Sequence, residues 1–398
     1  MPIAISRRTI LRATTAHGLT LLLAGCSRGG VGPTVATPAT AEPTVSTAAP
    51  TLPPLRTATR AAAANITPTT VATRPAAATA TRGSAASPAR SATANVATPL
   101  NLRVREYLLP RGSVPYGVAL TPDDAVWYTA QRAGELGRLD PATGAIKGIA
   151  LGQGATPRGI VLGPDGALWL VDSGNNALVR VDTATEEIRR ITLPAGGAGA
   201  NLQMLAFDAA GRLWFTGEGG IYGRLDQNVG VLQVFKAPRG TGLAGITAAP
   251  DGTISFASFD GNYVEQIVPT TGVATTLTLP TAMAGPRGVA ADSRGRLWVG
   301  AWQDGYLAAY EPTTTRWRTW PLPGRKTQPR AVYVDARDQI WLTDDSTNAI
   351  LRFDPITERF QTLVLPTDAG AIAQLASRPG EIWGAESGSD RLVVLREG

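Results

Sequence analysis

At 398 residues the chain exceeds one average domain, but its charge is divided so unevenly that whole-chain averages mislead. Residues 1–98 hold nine arginines and a single acid, Glu42, a net of +8, which leaves residues 99–398 at −2 within a chain total of +6. The part able to fold thus lacks the excess positive charge that neutralises phosphates, which excludes nucleic acid as a partner, and the single cysteine, Cys26, excludes an internal disulfide.

The chain begins with a charged segment, Ser6-Arg7-Arg8-Thr9-Ile10-Leu11-Arg12, followed by an uncharged stretch from Ala13 to Gly25. That stretch is too short to span a bilayer as a stable helix and reads as a signal peptide over 1–25, its paired arginines resembling a twin-arginine export signal. Leu23-Ala24-Gly25-Cys26 resembles the lipobox of bacterial lipoproteins, in which small residues admit the signal peptidase and the cysteine thiol is lipidated. The expected address is the cell envelope, with the protein exported and anchored by lipid to the outer side of a membrane.

Residues 26–98 are expected to form a stalk. Beyond Cys26 they are mostly Ala, Thr, Pro and Ser, with too little apolar surface to offset the entropy of ordering, which predicts disorder. A flexible chain of this length spans about 45–50 Å and would hold the following domain off the membrane.

From Pro115 onward one pattern recurs over residues 99–398: Pro-x-Gly-apolar-x-apolar, a turn, an apolar residue and Trp, a second turn, then apolar-x-Arg-apolar-Asp and a final apolar run. Trp127, Trp169, Trp214, Trp298, Trp341 and Trp383 mark it, with Ser255 filling the place skipped between Trp214 and Trp298. The successive intervals are 42, 45, 41, 43, 43 and 42 residues. A fixed period of this size, with four short strands and tight turns such as Pro164-Asp165-Gly166 in each unit, predicts an all-β, seven-bladed β-propeller. The tryptophans are expected to pack between neighbouring blades. The Arg/Asp sets at 138/140, 180/182, 224/226 and 352/354 recur by blade and read as architecture.

Closure is legible too. The last repeat has three strands, Ile372–Ala376, Glu381–Gly384 and Arg391–Arg396. Leu102–Pro110 ahead of the first repeat supplies a fourth that would seal the ring and leave no open edge. A single ring closed in this way reads as a monomer.

The repeat Pro157-Arg158-Gly159-Ile160, Pro164-Asp165-Gly166-Ala167-Leu168-Trp169-Leu170-Val171-Asp172, Asn175-Asn176-Ala177-Leu178-Val179-Arg180-Val181-Asp182 resembles the blade of the streptogramin B lyase (virginiamycin B lyase) family and is similar to the NHL repeat, over 101–398. The resemblance implies an elimination that opens a cyclic depsipeptide at its ester bond, with a histidine base, a second histidine and Mg2+ held near a glutamate at the channel mouth. The only histidine here is His17, in the signal.

The positions that match the family's histidine segments are Tyr116, Arg158, Gln203, Ala244, Arg287, Arg330 and Ile372. A second set of expected mouth positions, three residues after each Trp, is Ala130, Asp172, Gly217, Ser258, Ala301, Asp344 and Glu386. Arginine stays protonated and is a poor base. The candidate ligand-binding residues are therefore Tyr116, Arg158, Arg287, Arg330, Asp172, Asp344 and Glu386, with Asp345 and Glu218 nearby. Guanidinium forks suit a carboxylated or phosphorylated small molecule, an acidic peptide or a cell-wall polymer. On this reading the propeller is a non-catalytic binding module.

Other readings stay open. The arginines could pair with those acids and simply knit the blades together. A lyase could persist with Glu386 as catalytic base. A metal-dependent lactonase similar to the SMP-30/gluconolactonase propellers could hold Mg2+ or Ca2+ on Asp172, Asp344 and Glu386. A partner could also dock on Trp302, Trp317 and Trp320, which fall outside the repeat position.

Overall fold

Apolar runs of five or six residues broken by Asp-Gly and Asn turns can only form short antiparallel hairpins. A computed structural model describes residues 98–194, 197–368 and 370–397. The signal over 1–25, Cys26 and the stalk as far as residue 97 lie outside the described residues.

Seven antiparallel sheets follow one another along the chain and form an all-β, seven-bladed propeller. Blade one comprises Pro115–Leu120, Val126–Ala130, Glu135–Leu139 and Ile146–Ala150, from the channel outward, and blades two to six repeat this order. Blade seven is closed as the sequence predicts. Arg103–Leu108 lies antiparallel to Arg391–Arg396, with Arg103 opposite Arg396 and Leu108 opposite Arg391. A clasp reinforces the seam: the Asp390 carboxylate accepts the Gly112 and Val114 N–H groups, both at 2.7 Å.

One boundary differs from expectation. Thr98 and Pro99 pair in parallel with Gln361 and Thr362, adding a fifth strand to blade six. Leu100 N–H then donates to Thr362 O at 3.0 Å. Leu100 itself is buried in the apolar cluster that holds Trp341 and Leu375, so the last stalk residue already belongs to a sheet.

Each repeat tryptophan packs on the next blade. Trp127 lies against Leu168 and Leu170, Trp298 against Ile340 and Leu342, and Trp383 against Val126 and Tyr128. Burial of so large an apolar face is the main inter-blade adhesive. The indole N–H is not left idle: Trp214, Trp298 and Trp341 donate to Asp208, Asp292 and Asp335 of their own blade's turn, each at 2.9 Å.

The recurrent Pro-x-Gly has a steric cause. A Cβ on Gly117, Gly159, Gly245 or Gly288 would stand 2.6–2.7 Å from a carbonyl oxygen of the adjacent inner strand. Inner strands approach too closely here for a side chain. The same point carries a register irregularity in all seven blades, as between Pro157 and Ile160. That bulge turns the residue between Pro and Gly toward the channel mouth.

The blade-repeated arginines are architectural, but their partners differ from the expected sets. Arg138 and Arg180 reach back to Asp123 and Asp165 in the inner turns, and Arg352 bonds Gln361. Asp140 and Asp182 instead receive backbone N–H groups within their own turns, the usual role of Asp at such a position.

Candidate functional site

The start of each inner strand delivers one side chain to the mouth of the central channel. In blades one to six these are Tyr116, Arg158, Gln203, Ala244, Arg287 and Arg330, as expected. In blade seven the residue is Ala373. Ile372 pairs with Glu386 as Pro115 pairs with Ala130, so Ile372 occupies the proline position and is buried. The mouth position of blade seven is therefore shifted by one from the expected Ile372, in a blade that has no Pro-x-Gly landmark.

The second expected set needs a larger correction. Residues three after each Trp, including Asp172, Asp344 and Glu386, are buried within their blades rather than facing the mouth. Asp172 accepts the Thr156 and Asn175 N–H groups and the Asn175 side-chain amide. Asp344 accepts the Gln328 and Ser346 N–H groups and the Ser346 and Thr347 hydroxyls. Glu386 accepts the Ser389 hydroxyl at 2.7 Å. Each of these carboxylates organises its own loop. They are not brought together, and among the described residues no group of three or more His, Cys, Asp or Glu could hold a metal ion. Asp172, Asp344 and Glu386 thus do not form a common set of oxygen ligands for Mg2+ or Ca2+.

The mouth is formed one residue later, at Glu218, Phe259, Trp302 and Asp345, which are all partly exposed. The strand ends at the preceding residue, so side-chain alternation carries the next one out of the blade. Glu218 and Asp345 were legible from their neighbourhood in sequence. Phe259 was missed, because only the shared offset from the Trp or Ser255 position marks it.

Three guanidiniums meet here. Arg158 Nη1 lies 3.7 Å from Glu218 Oε2, and Arg330 Nη1 lies 3.4 Å from Asp345 Oδ2. Arg287 makes no ion pair among the described residues. Its guanidinium instead sits between two rings, 4.8 Å from the Phe259 centroid and 5.0 Å from that of Trp302. Such a cage holds the cation in place without neutralising it. Tyr116 donates its hydroxyl to Gln203 Oε1 at 2.7 Å, and its ring lies within 6 Å of both Arg158 and Arg330. The Thr129 hydroxyl accepts the Gly117 N–H and donates to Arg158 O at 2.6 Å, fixing the backbone that carries Arg158.

Electrostatics leave the mouth unsatisfied. Burial pulls the Arg287 guanidinium below its ordinary value, and Arg330 beside it acts in the same sense, opposed by Glu218. Burial raises the Asp345 carboxyl, against the pull of Arg330 and Arg287. Arg158 Nε, Arg287 Nε, Trp302 Nε1 and Asp345 Oδ1 are all buried with no hydrogen-bond partner among the described residues. Four such atoms at one mouth are unusual for a folded protein and suit a site completed by a ligand.

Below the mouth runs a cavity of about 410 Å³, walled mainly by the inner strands of blades three to six. Gln374 closes the opposite side by bonding both the Ile160 N–H and carbonyl across blade one. A second recess of about 270 Å³ opens beside Glu218, Phe259, Asp260 and Arg287.

The three expected docking aromatics separate. Trp320 is buried against Trp298 and Phe353, and Trp317 packs on Tyr310. Trp302 alone reaches the mouth. A common exposed patch is therefore not formed, because the outer strand of blade five turns Trp320 into the core.

Comparison with known proteins is consistent with the blade pattern. The sequence profile described as the virginiamycin B lyase family matches residues 102–392. Selenomethionine-substituted virginiamycin B lyase from Staphylococcus aureus is 20% identical with a TM-score of 0.69, covering 75% of this chain and 100% of that chain. A streptogramin B lyase structure is 22% identical with a TM-score of 0.68, over 74% of this chain and 97% of that one. A catalytically inactive form of the Staphylococcus aureus lyase with quinupristin gives 22% and 0.68, over 75% and 100%. No curated protein matches the chain. Likeness at this identity speaks for the fold alone.

Proposed function

The chain belongs to the virginiamycin B lyase family, and from that premise we propose that it is a binding module, which captures an anionic ligand at the channel mouth and does not catalyse ring opening. The observation that carries this reading is Arg287, held between Phe259 and Trp302 with no carboxylate partner among the described residues and with Arg330 beside it. A caged, partly desolvated guanidinium next to a second one is a receptor for carboxylate or phosphate oxygens.

Proton abstraction at neutral pH needs a base tuned near that pH. The inner-strand positions at the mouth carry Tyr, Arg, Gln and Ala, none of which is such a base in its ordinary state, and the two mouth carboxylates, Glu218 and Asp345, each face a guanidinium, that of Arg158 and of Arg330. Glu386 has a suitable acidity, raised to about 7 by burial. It is fully buried and absent from the cavity lining, however, so a substrate at the mouth would not reach it.

We further propose that Cys26 anchors the protein by lipid in the cell envelope, with the segment up to residue 98 as a tether, and that the propeller works there as a monomer. A partner borne on a small molecule, a peptide or a wall polymer would present its carboxylate or phosphate to the three arginines.

The test uses the purified full chain. Calorimetric titration with benzoate should show binding that Arg287→Gln weakens about 10- to 100-fold, the scale of a lost charge-assisted hydrogen bond. A streptogramin B antibiotic incubated with the protein and Mg2+ should stay cyclic by mass spectrometry. Ring opening abolished by EDTA and by Glu386→Gln would replace the binding reading with the lyase one.

A further inference from the structure

We propose that the ligand is a single-chain amphiphile whose anionic head rests on Arg287 and Arg330 while its apolar tail enters the central channel. The inference rests on the anion-binding reading of the mouth and adds the chemistry of the rest of the molecule.

The channel changes character with depth. Beneath the arginines its walls include Val161, Leu162, Met204, Phe207, Ile246 and Val332. These inner-strand side chains stay partly exposed although the blades surround them. Apolar surface facing confined water is a standing cost, relieved when an apolar group takes the water's place.

Side-chain polar groups of the walls already have partners. The Thr247 hydroxyl accepts the Ala291 N–H, Tyr333 and Ser377 bond through their hydroxyls at 2.8 Å, and the Gln374 amide is used on Ile160. The unpartnered buried atoms among the lining and rim lie instead at the mouth, on Arg158, Arg287, Trp302 and Asp345. Polar demand at one end and apolar demand along the shaft match a molecule divided in the same way. A cavity of about 410 Å³ lies in the range of small-molecule sites.

A purely polar anion would fill only the rim. A bulky cyclic ligand would sit on top without using the shaft. An unbranched tail uses both.

The experiment titrates the full chain with straight-chain carboxylates from acetate to decanoate, with alkyl phosphates of equal length and with alkyltrimethylammonium salts. Affinity should rise about three- to fourfold per added methylene until the shaft is filled, for carboxylate and phosphate heads, and not for the ammonium series. Ala206→Phe and Ala248→Phe, two plugs in different blades, should remove the chain-length gain while benzoate still binds. Thermal melts show whether each plug folds, and one folded plug suffices. Affinity flat across the series, or a gain that survives a folded plug, overturns the amphiphile while leaving Arg287-dependent benzoate binding intact. Loss of benzoate binding in the unsubstituted chain would overturn the anion reading as well.

Discussion

Glu386 shows how a residue type can be right for chemistry and wrong in place. Its side chain is fully buried, one oxygen accepts from Ser389, and the other has no partner among the described residues. Burial is the main cause that lifts its carboxyl to about 7; the Ser389 hydrogen bond opposes this, Glu106 adds to it and Arg391 opposes it. The folded chain therefore keeps a proton that the unfolded chain loses near the ordinary glutamate value of 4.5. Stability should fall as pH rises from about 4.5 to about 7 and level off above that. Glu386→Gln, which stays neutral, should flatten this slope and raise stability at pH 8 by on the order of 1–3 kcal/mol. Denaturant melts at pH 5 and pH 8 check it: an equal effect at both pH values would refute the assignment.

The same carboxylate, with Asp172 and Asp344, was a plausible channel ligand in sequence because blade-end acids are common in the family it resembles. One residue of offset separates a loop-organising acid from a mouth residue. Strand alternation makes that single step a change of face. Arg158 and Arg287 were legible because Pro and Gly bracket them, the glycine being required by the close backbone approach of the next blade, and Arg330 because Pro329 precedes it in the same repeat position. Ala373 was not, since blade seven offers neither landmark.

Within a blade, the tryptophan strand and its turn act as a unit. Trp298 is buried against Ile340 and Leu342 of the next blade, and its N–H is taken by Asp292, which also pairs with Arg296 at 2.6 Å. Trp298→Ala should cost about 3–5 kcal/mol, as large buried aromatics do when truncated. Blade four breaks the pattern with Ser255, whose buried hydroxyl has no partner among the described residues. Ala257 and Val264 of blade four meet Val289, Leu297 and Val299 of blade five across that seam instead. Ser255→Ala should then be neutral or stabilising by up to about 1 kcal/mol. Chemical denaturation distinguishes the two, and a loss above about 2 kcal/mol at Ser255 would show that the hydroxyl is bonded.

A ring of blades has no free edge only if its ends meet. Arg103–Leu108 supplies that strand, Asp390 clasps blade seven to the start of blade one, and Thr98–Pro99 covers the rim of blade six. Deleting residues 98–108 should bare the Arg391–Arg396 edge. The expected result is a lower, broader calorimetric transition and self-association on size exclusion. A truncated chain that stays monomeric with an unchanged melting temperature would show that the closing strand is dispensable.

Blade number, four-strand order, the closing strand and the inter-blade role of the tryptophans could all be decided from the amino-acid sequence, because they rest on a period of about 43 residues and on local turn chemistry. The missing histidine at the mouth and the three arginines were visible in the same way. Only the tertiary structure decided which acids face the channel, that Arg287 sits in a cage of Phe259 and Trp302, and that partly exposed apolar side chains line the cavity beneath. Those features join residues from different blades. Their distances depend on how seven sheets converge on one axis, and no local pattern along the chain encodes that convergence.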